Sequence, residues 1–152
     1  MINVQRILYT TDFSSYSNQA YFHALALAQM HGAGLTIAHV LVADATRLDD
    51  GSQAPADRNY WREQLQQIHP LDASIPVDHA LLEGDPATQI VKLARDLGAD
   101  LIVMGTHGRT GTERLLLGSV AEKVMRDSPC SVMVVKLPKG APITRPLAVT
   151  AG

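Results

Sequence analysis

Apolar runs of strand length alternate with helix-patterned stretches along most of this chain, and that alternation limits its fold more than any other feature. The strand-like runs are 6–10, 35–42, 76–83, 101–104 and 131–136, and the helix-like stretches between them are about 14–31, 57–68, 86–97 and 120–126. Strands separated by helices pair in parallel, because a parallel partner is reached only through a crossover of a dozen or more residues. The reading is an α/β fold: a doubly wound, five-stranded, mostly parallel sheet with helices on both faces.

The helix signals are local. Ser14 or Ser15 offers a cap, Tyr21, Ala24, Leu25 and Ala28 fall on one apolar face, and Gly32 and Gly34 end the pattern. Asp85 and Pro86 mark a second start, Ile90, Leu93, Ala94 and Leu97 its buried stripe, and Gly98 its stop. The stretch 57–68 carries the only tryptophan, Trp61. Residues 43–55 mix Asp, Gly, Ser and Pro and read as loop. The expectation is a single domain over residues 1–152, its core about 4–136, followed by a Pro-rich tail at 137–152 that is extended or irregular.

Composition excludes several classes. With 46% hydrophobic and 18% charged residues the chain is globular rather than disordered. A formal charge of −2 and the lack of a basic run leave no electrostatic footprint for nucleic acid. No apolar stretch approaches the roughly 20 residues that a membrane-spanning helix needs, so no membrane insertion is expected. The first residues lack the charged-then-apolar pattern of a signal peptide. The single cysteine, Cys130, reads as a small buried hydrophobe and suits a reducing compartment. Together these point to the cytoplasm.

Chemistry concentrates where the fourth strand ends. Gly105-Thr106-His107-Gly108 is followed by nine residues, Arg109 to Leu117, and then by Gly118-Ser119 at a helix start. A glycine loop joining a strand to a helix amino terminus can hold an anion: backbone N–H groups point at it, no Cβ blocks the approach, and the helix dipole favours negative charge. The spacing is not that of a P-loop, since no Lys accompanies Gly118-Ser119. Nor does it match a dinucleotide fingerprint, since Thr10-Thr11-Asp12 follows the first strand. Ser119 also reads as a helix cap. Arg109 is a natural phosphate counter-charge. His107 has no orienting carboxylate to make it a general base and no companion ligands to make it a metal site.

This segment resembles the universal stress protein family, whose nucleotide-binding members carry G-x2-G-x9-G-[S/T]; Gly105, Gly108, Gly118 and Ser119 fill the fixed positions. The flanking Arg-Leu-Leu-Leu-Gly-Ser-Val-Ala-Glu-Lys-Val is similar too, and the likeness runs from about Val4 to Lys136. The resemblance implies an adenine nucleotide alpha hydrolase-like sheet in the order 3-2-1-4-5, with Asp12 facing the glycine loop. It implies ATP, or AMP, bound by Thr11, Asp12, Val40, Gly105, Thr106, His107, Gly108, Arg109, Gly118, Ser119 and Val120. The backbone of Val40 would pair with the adenine edge, with His39 beside it, and Asp12 would contact Mg2+. It further implies a homodimer through strand 131–136 and a nucleotide-dependent switch that reports to a regulated protein partner. Two departures stand out: Thr11 where the family has Pro, and Thr112-Glu113 where it has small or apolar residues.

Two other function classes use a sheet of this kind. A slow ATPase or phosphotransfer enzyme would use the same fold, but no general base with an orienting partner and no Walker-type lysine is present, so no catalytic residue is assigned. A phosphoacceptor receiver needs an acidic cluster after strand one, and here Asp12 stands alone.

Overall fold

All five strand-like runs enter one sheet. The computed structural model describes residues 3–42, 58–106 and 117–136. The strands are β1 (Arg6–Thr10), β2 (Gly34–Leu41), β3 (Val77–Glu83), β4 (Leu101–Gly105) and β5 (Ser131–Val135), and the helices α1 (Ser15–His31), α2 (Arg58–Gln66), α3 (Pro86–Leu97) and α4 (Ser119–Asp127) lie between them. Every pairing is parallel and the order is β3-β2-β1-β4-β5, as the resemblance implied.

The two faces carry separate cores. Ile7, Tyr9, Leu35 and Ile37 pack with Ala20, Tyr21, Ala24 and Ala28 of α1 and with Trp61 and Leu65 of α2. Leu8, Ala38, Val40, Ile102 and Met104 pack with Ala87, Ile90 and Ala94 of α3 and with Ala121 and Val124 of α4. Strand alternation sends successive side chains of β1 to opposite faces. The helices divide the same way because crossovers keep one hand. Those from β1 to β2 to β3 step outward along the sheet. The remaining ones step the other way, from β3 back to β4 and on to β5, and so lie on the opposite face. Winding therefore reverses between β1 and β4, which is where ligands of such sheets bind.

Local signals account for the helix ends. Ser14 caps α1 by accepting from Ser17 N–H, and Asp85 caps α3 by accepting from Thr88 N–H. Gly32 and Gly98 close these helices at φ 64°, a left-handed conformation that costs glycine little. Ala20, Ala24 and Ala28 of α1 are fully buried, so the helix rides close to the sheet. At β4 this closeness becomes a requirement. A Cβ on Gly105 would lie 2.8 Å from the carbonyl carbon of Tyr16 and 2.9 Å from its oxygen. Glycine stands at 105 because the first turn of α1 crosses there.

Candidate functional site

The chain leaving β1 makes a tight, fully specified turn. Thr11 N–H donates to Ala38 C=O at 2.9 Å, the final rung between the two strands. Thr11 Oγ1 accepts from Phe13 N–H at 3.0 Å and lies 3.2 Å from Ser17 Oγ. Ser17 Oγ donates to Ser14 C=O at 2.8 Å, so the Thr11 hydroxyl is the donor to Ser17. Asp12 Oδ1 accepts from Ser14 N–H at 3.0 Å, and its carboxylate is half-buried. Phe13 takes φ 65°, the one positive value outside glycine among the described residues. The turn then enters α1, held from beneath by Tyr9, whose hydroxyl donates to Ser17 C=O at 2.7 Å. Burial raises the Tyr9 pKa well above its ordinary value, so that proton stays in place.

This turn has a consequence at Val40. In β2 the backbone groups alternate sides: Leu35 N–H donates to Pro76 C=O on the β3 side and Leu41 C=O accepts from Gly84, whereas Gly34 N–H donates to Gln5 and Ala38 C=O accepts from Thr11 on the β1 side. Val40 shares the parity of Gly34 and Ala38, so its N–H and C=O face the β1 side. Continued pairing would send Phe13 N–H to Val40 C=O. Phe13 donates to Thr11 Oγ1 instead, and the Thr11 carbonyl accepts from the His39 ring at Nδ1, 2.7 Å away. One donor and one acceptor of Val40 therefore face the space above the end of β1. The Val40 side chain packs into the α3–α4 core.

Across the switch point, Thr106 forms a neck. Its N–H donates to Val135 C=O at 3.1 Å, and its C=O accepts from Gly118 N–H at 2.6 Å. Thr106 and Gly118 are thereby held together, and α4 begins immediately after. Gly118 is the cap residue of α4, at φ −70° and ψ 159°, and provides no side-chain bond to the first turn. Ser119, expected as the cap, is the first helical residue and is exposed. It cannot cap because its own φ and ψ are already helical. Helices α1 and α3 thus have side-chain caps, whereas the cap residue of α4 supplies none to the amides that follow Gly118, where Ser119 is exposed and Val120 partly so.

The fold brings Thr11, Asp12, Val40, Gly105, Thr106, Gly118, Ser119 and Val120 to the carboxyl edge of β2, β1 and β4. Of the other expected residues, His107, Gly108 and Arg109 lie outside the described residues, as do Thr112 and Glu113. Gly105 acquires a packing reason in the approach of Tyr16. One residue escaped sequence reasoning: Phe13, whose ring lies 4.7 Å from His39 and 5.4 Å from Trp61. Aromatic residues seldom take positive φ, so nothing in its type announced the turn.

Among the described residues there is no group of three or more His, Cys, Asp or Glu side chains able to hold a metal, and no helix long and apolar enough to cross a membrane. Asp12 fits Mg2+ in another way, since that ion is often held by one carboxylate together with ligand phosphates.

Comparison with known proteins agrees with this architecture. A universal stress protein of Methanocaldococcus jannaschii is 37% identical over 142 residues, covering 89% of this chain and 84% of that protein. The universal stress protein UspA from Lactobacillus plantarum superposes with a TM-score of 0.72 at 24% identity, covering 87% of this chain and 97% of the other. A universal stress protein solved in complex with cAMP gives a TM-score of 0.61 at 26% identity, covering 88% and 97%. The family model described as the universal stress protein family matches residues 3–136, and this chain belongs to that family.

Proposed function

We propose that this chain binds an adenine nucleotide, ATP with Mg2+, and acts in the cytoplasm as a nucleotide-dependent regulatory protein of the stress response. The observation that carries the reading is the pairing of two sets of available backbone groups at one switch point. The donor and acceptor of Val40 suit the edge of adenine. The amides that open α4 suit phosphate. Asp12 and Thr11, between them, stand where ribose, phosphate and metal would lie. The solved relative with cAMP supports an adenine nucleotide. The triphosphate rests on the glycine frame of Gly105, Gly108, Gly118 and Ser119, with His107 and Arg109 as further contacts. AMP is the weaker ligand, since it lacks the β- and γ-phosphates that this frame would cradle. The loaded and empty forms of the site are the two states by which a partner protein would read occupancy.

The test is direct. Mass spectrometry of nucleotide released from denatured, freshly purified protein identifies the ligand, and calorimetry with ATP and Mg2+ measures it. Gly118→Val is the decisive variant, because φ −70° and ψ 159° are extended values that valine adopts without strain. The fold is expected to survive while the branched side chain blocks the amides. Unchanged ATP affinity in that variant refutes the phosphate assignment.

The same reading includes a homodimer through β5. That strand is the outermost on its side of the sheet. Val135 C=O accepts from Thr106 N–H, so Val135, Met133 and Ser131 direct their backbone groups inward to β4. Those of Val132 and Val134 face outward, where a second copy related by a two-fold axis would satisfy them.

A further inference from the structure

Phe13 is the one described residue whose backbone conformation its own side chain disfavours. A non-glycine residue at φ 65° carries strain, and such strain persists only where surrounding contacts over-determine it. Here the contacts are specific. The Phe13 ring stacks on Trp61, with centroids 5.4 Å apart and planes 28° from parallel. It meets the His39 ring edge-on at 4.7 Å. His39 and Trp61 touch each other at 5.3 Å, which closes a three-ring cluster. Its members come from the β1–α1 turn, the last part of β2, and α2. His39 is buried, and its Nδ1 donates to Thr11 C=O at 2.7 Å, so the cluster also grips the turn by its backbone.

What the strained conformation achieves follows from the strand pairing. Were the chain to stay extended through Asp12 and Phe13, Phe13 N–H would continue the ladder to Val40 C=O, and the backbone groups facing the base position would be consumed. Instead the turn at Asp12 sends Phe13 N–H back to Thr11 Oγ1, away from Val40, and φ 65° at Phe13 then brings Ser14 N–H onto Asp12 Oδ1. We propose that the Phe13–His39–Trp61 cluster is a positioning device: it holds the Thr11–Asp12–Phe13 turn in the left-handed form that keeps Val40 open to the base and Asp12 aimed at the ligand. The three residues touch no ligand themselves. The proposal rests on the nucleotide reading above for its ligand, although the conformational claim stands apart from it.

The experiment separates a positioning role from simple loss of packing. Phe13→Ala and Phe13→Gly remove the same ring, but glycine adopts positive φ without cost and alanine does not. ATP affinity measured by calorimetry is expected to fall about tenfold in Phe13→Ala and in Trp61→Leu, the scale on which strain of this kind acts. Phe13→Gly and the ring-conserving Trp61→Phe are expected to stay within about threefold of the wild type. Amide hydrogen exchange without nucleotide gives the second readout. Phe13 N–H and Ser14 N–H should lose protection in Trp61→Leu, whereas Leu35 N–H, bonded to Pro76 C=O at the far end of β2, should keep it. Glycine binding as weakly as alanine at position 13, or Trp61→Leu leaving both affinity and exchange unchanged, overturns the proposal. If the wild type binds no ATP, the nucleotide reading fails, and the exchange pattern still decides whether the cluster holds the turn.

Discussion

Replacing Gly105 with alanine asks whether this glycine serves the nucleotide or the helix above it. The backbone at 105 is not left-handed, so alanine meets no torsional penalty there. The added methyl would instead sit 2.8 Å from the Tyr16 carbonyl carbon, 2.9 Å from its oxygen and 3.0 Å from its Cβ. Carbon contacts are comfortable at about 3.5–4.0 Å, so relief requires a shift of some 0.7 Å or more. Two of the three atoms are backbone in the first turn of α1, which Ser14, Ser17 and Tyr9 pin in place. Overpacking of a rigid neighbour costs about 1–3 kcal/mol, and the upper half of that range applies here. For a chain of this length each kcal/mol moves Tm by about 2–4 °C, so Gly105→Ala should melt roughly 4–12 °C lower. Gly98→Ala is the control, since a Cβ there meets nothing within 4 Å and only the left-handed φ of 64° opposes it. That variant should lose about 1 kcal/mol. Thermal unfolding followed by circular dichroism compares them. If Gly105→Ala melts within 2 °C of the wild type, α1 is not seated on β4 as described and the packing account is wrong.

Three further outcomes are expected. Asp85→Ala should cost about 1 kcal/mol near neutral pH through loss of the α3 cap. Bonds from the Thr88 hydroxyl and amide, then from Lys123, lower the Asp85 pKa to about 2, so its contribution is complete above the ordinary carboxylate range near 4 and fades as pH falls through about 2. The Tm difference between this variant and the wild type should therefore shrink across that acidic window, and a constant difference refutes the assignment. Val134→Pro removes an outward-facing N–H from β5 without touching the ladder to β4, so it should shift the proposed dimer towards monomer in sedimentation while the fold is retained. Sedimentation of the wild type as a monomer at micromolar concentration would exclude the strand-edge dimer altogether.

The fold was legible wherever the determinant was local. Asp85-Pro86 and Gly98 bracket α3 at the residues expected, because capping and left-handed closure depend on a few adjacent side chains. The strand order was not local, and it came from the resemblance rather than from any run of residues. At the site, the glycine spacing identified the edge of the sheet where backbone groups gather. It did not distinguish the job of each glycine: Gly105 answers to Tyr16, far back in the chain, and Gly118 rather than Ser119 occupies the cap position of α4. Phe13 was illegible for a related reason. Its conformation is imposed by Trp61 and His39, which no local propensity connects to it. The face of Val134 likewise emerged only with the sheet, for its side chain packs inward against the α3–α4 core while its backbone points outward.

The neck at Thr106 has an evolutionary consequence. Because Thr106 is tied both to Val135 and to Gly118, the sheet and α4 are joined directly, and the ten positions 107–116 are a sequence cassette between ends that the framework fixes. Doubling the length of a segment whose ends are already fixed costs only about 0.6 kcal/mol in closure entropy. Such a cassette is free to be lengthened, shortened or rewritten by mutation with little penalty to the scaffold. A lineage with this junction can change what its loop recognises while inheriting the same sheet, so the tempo of change inside the cassette and in the framework around it should be uncoupled.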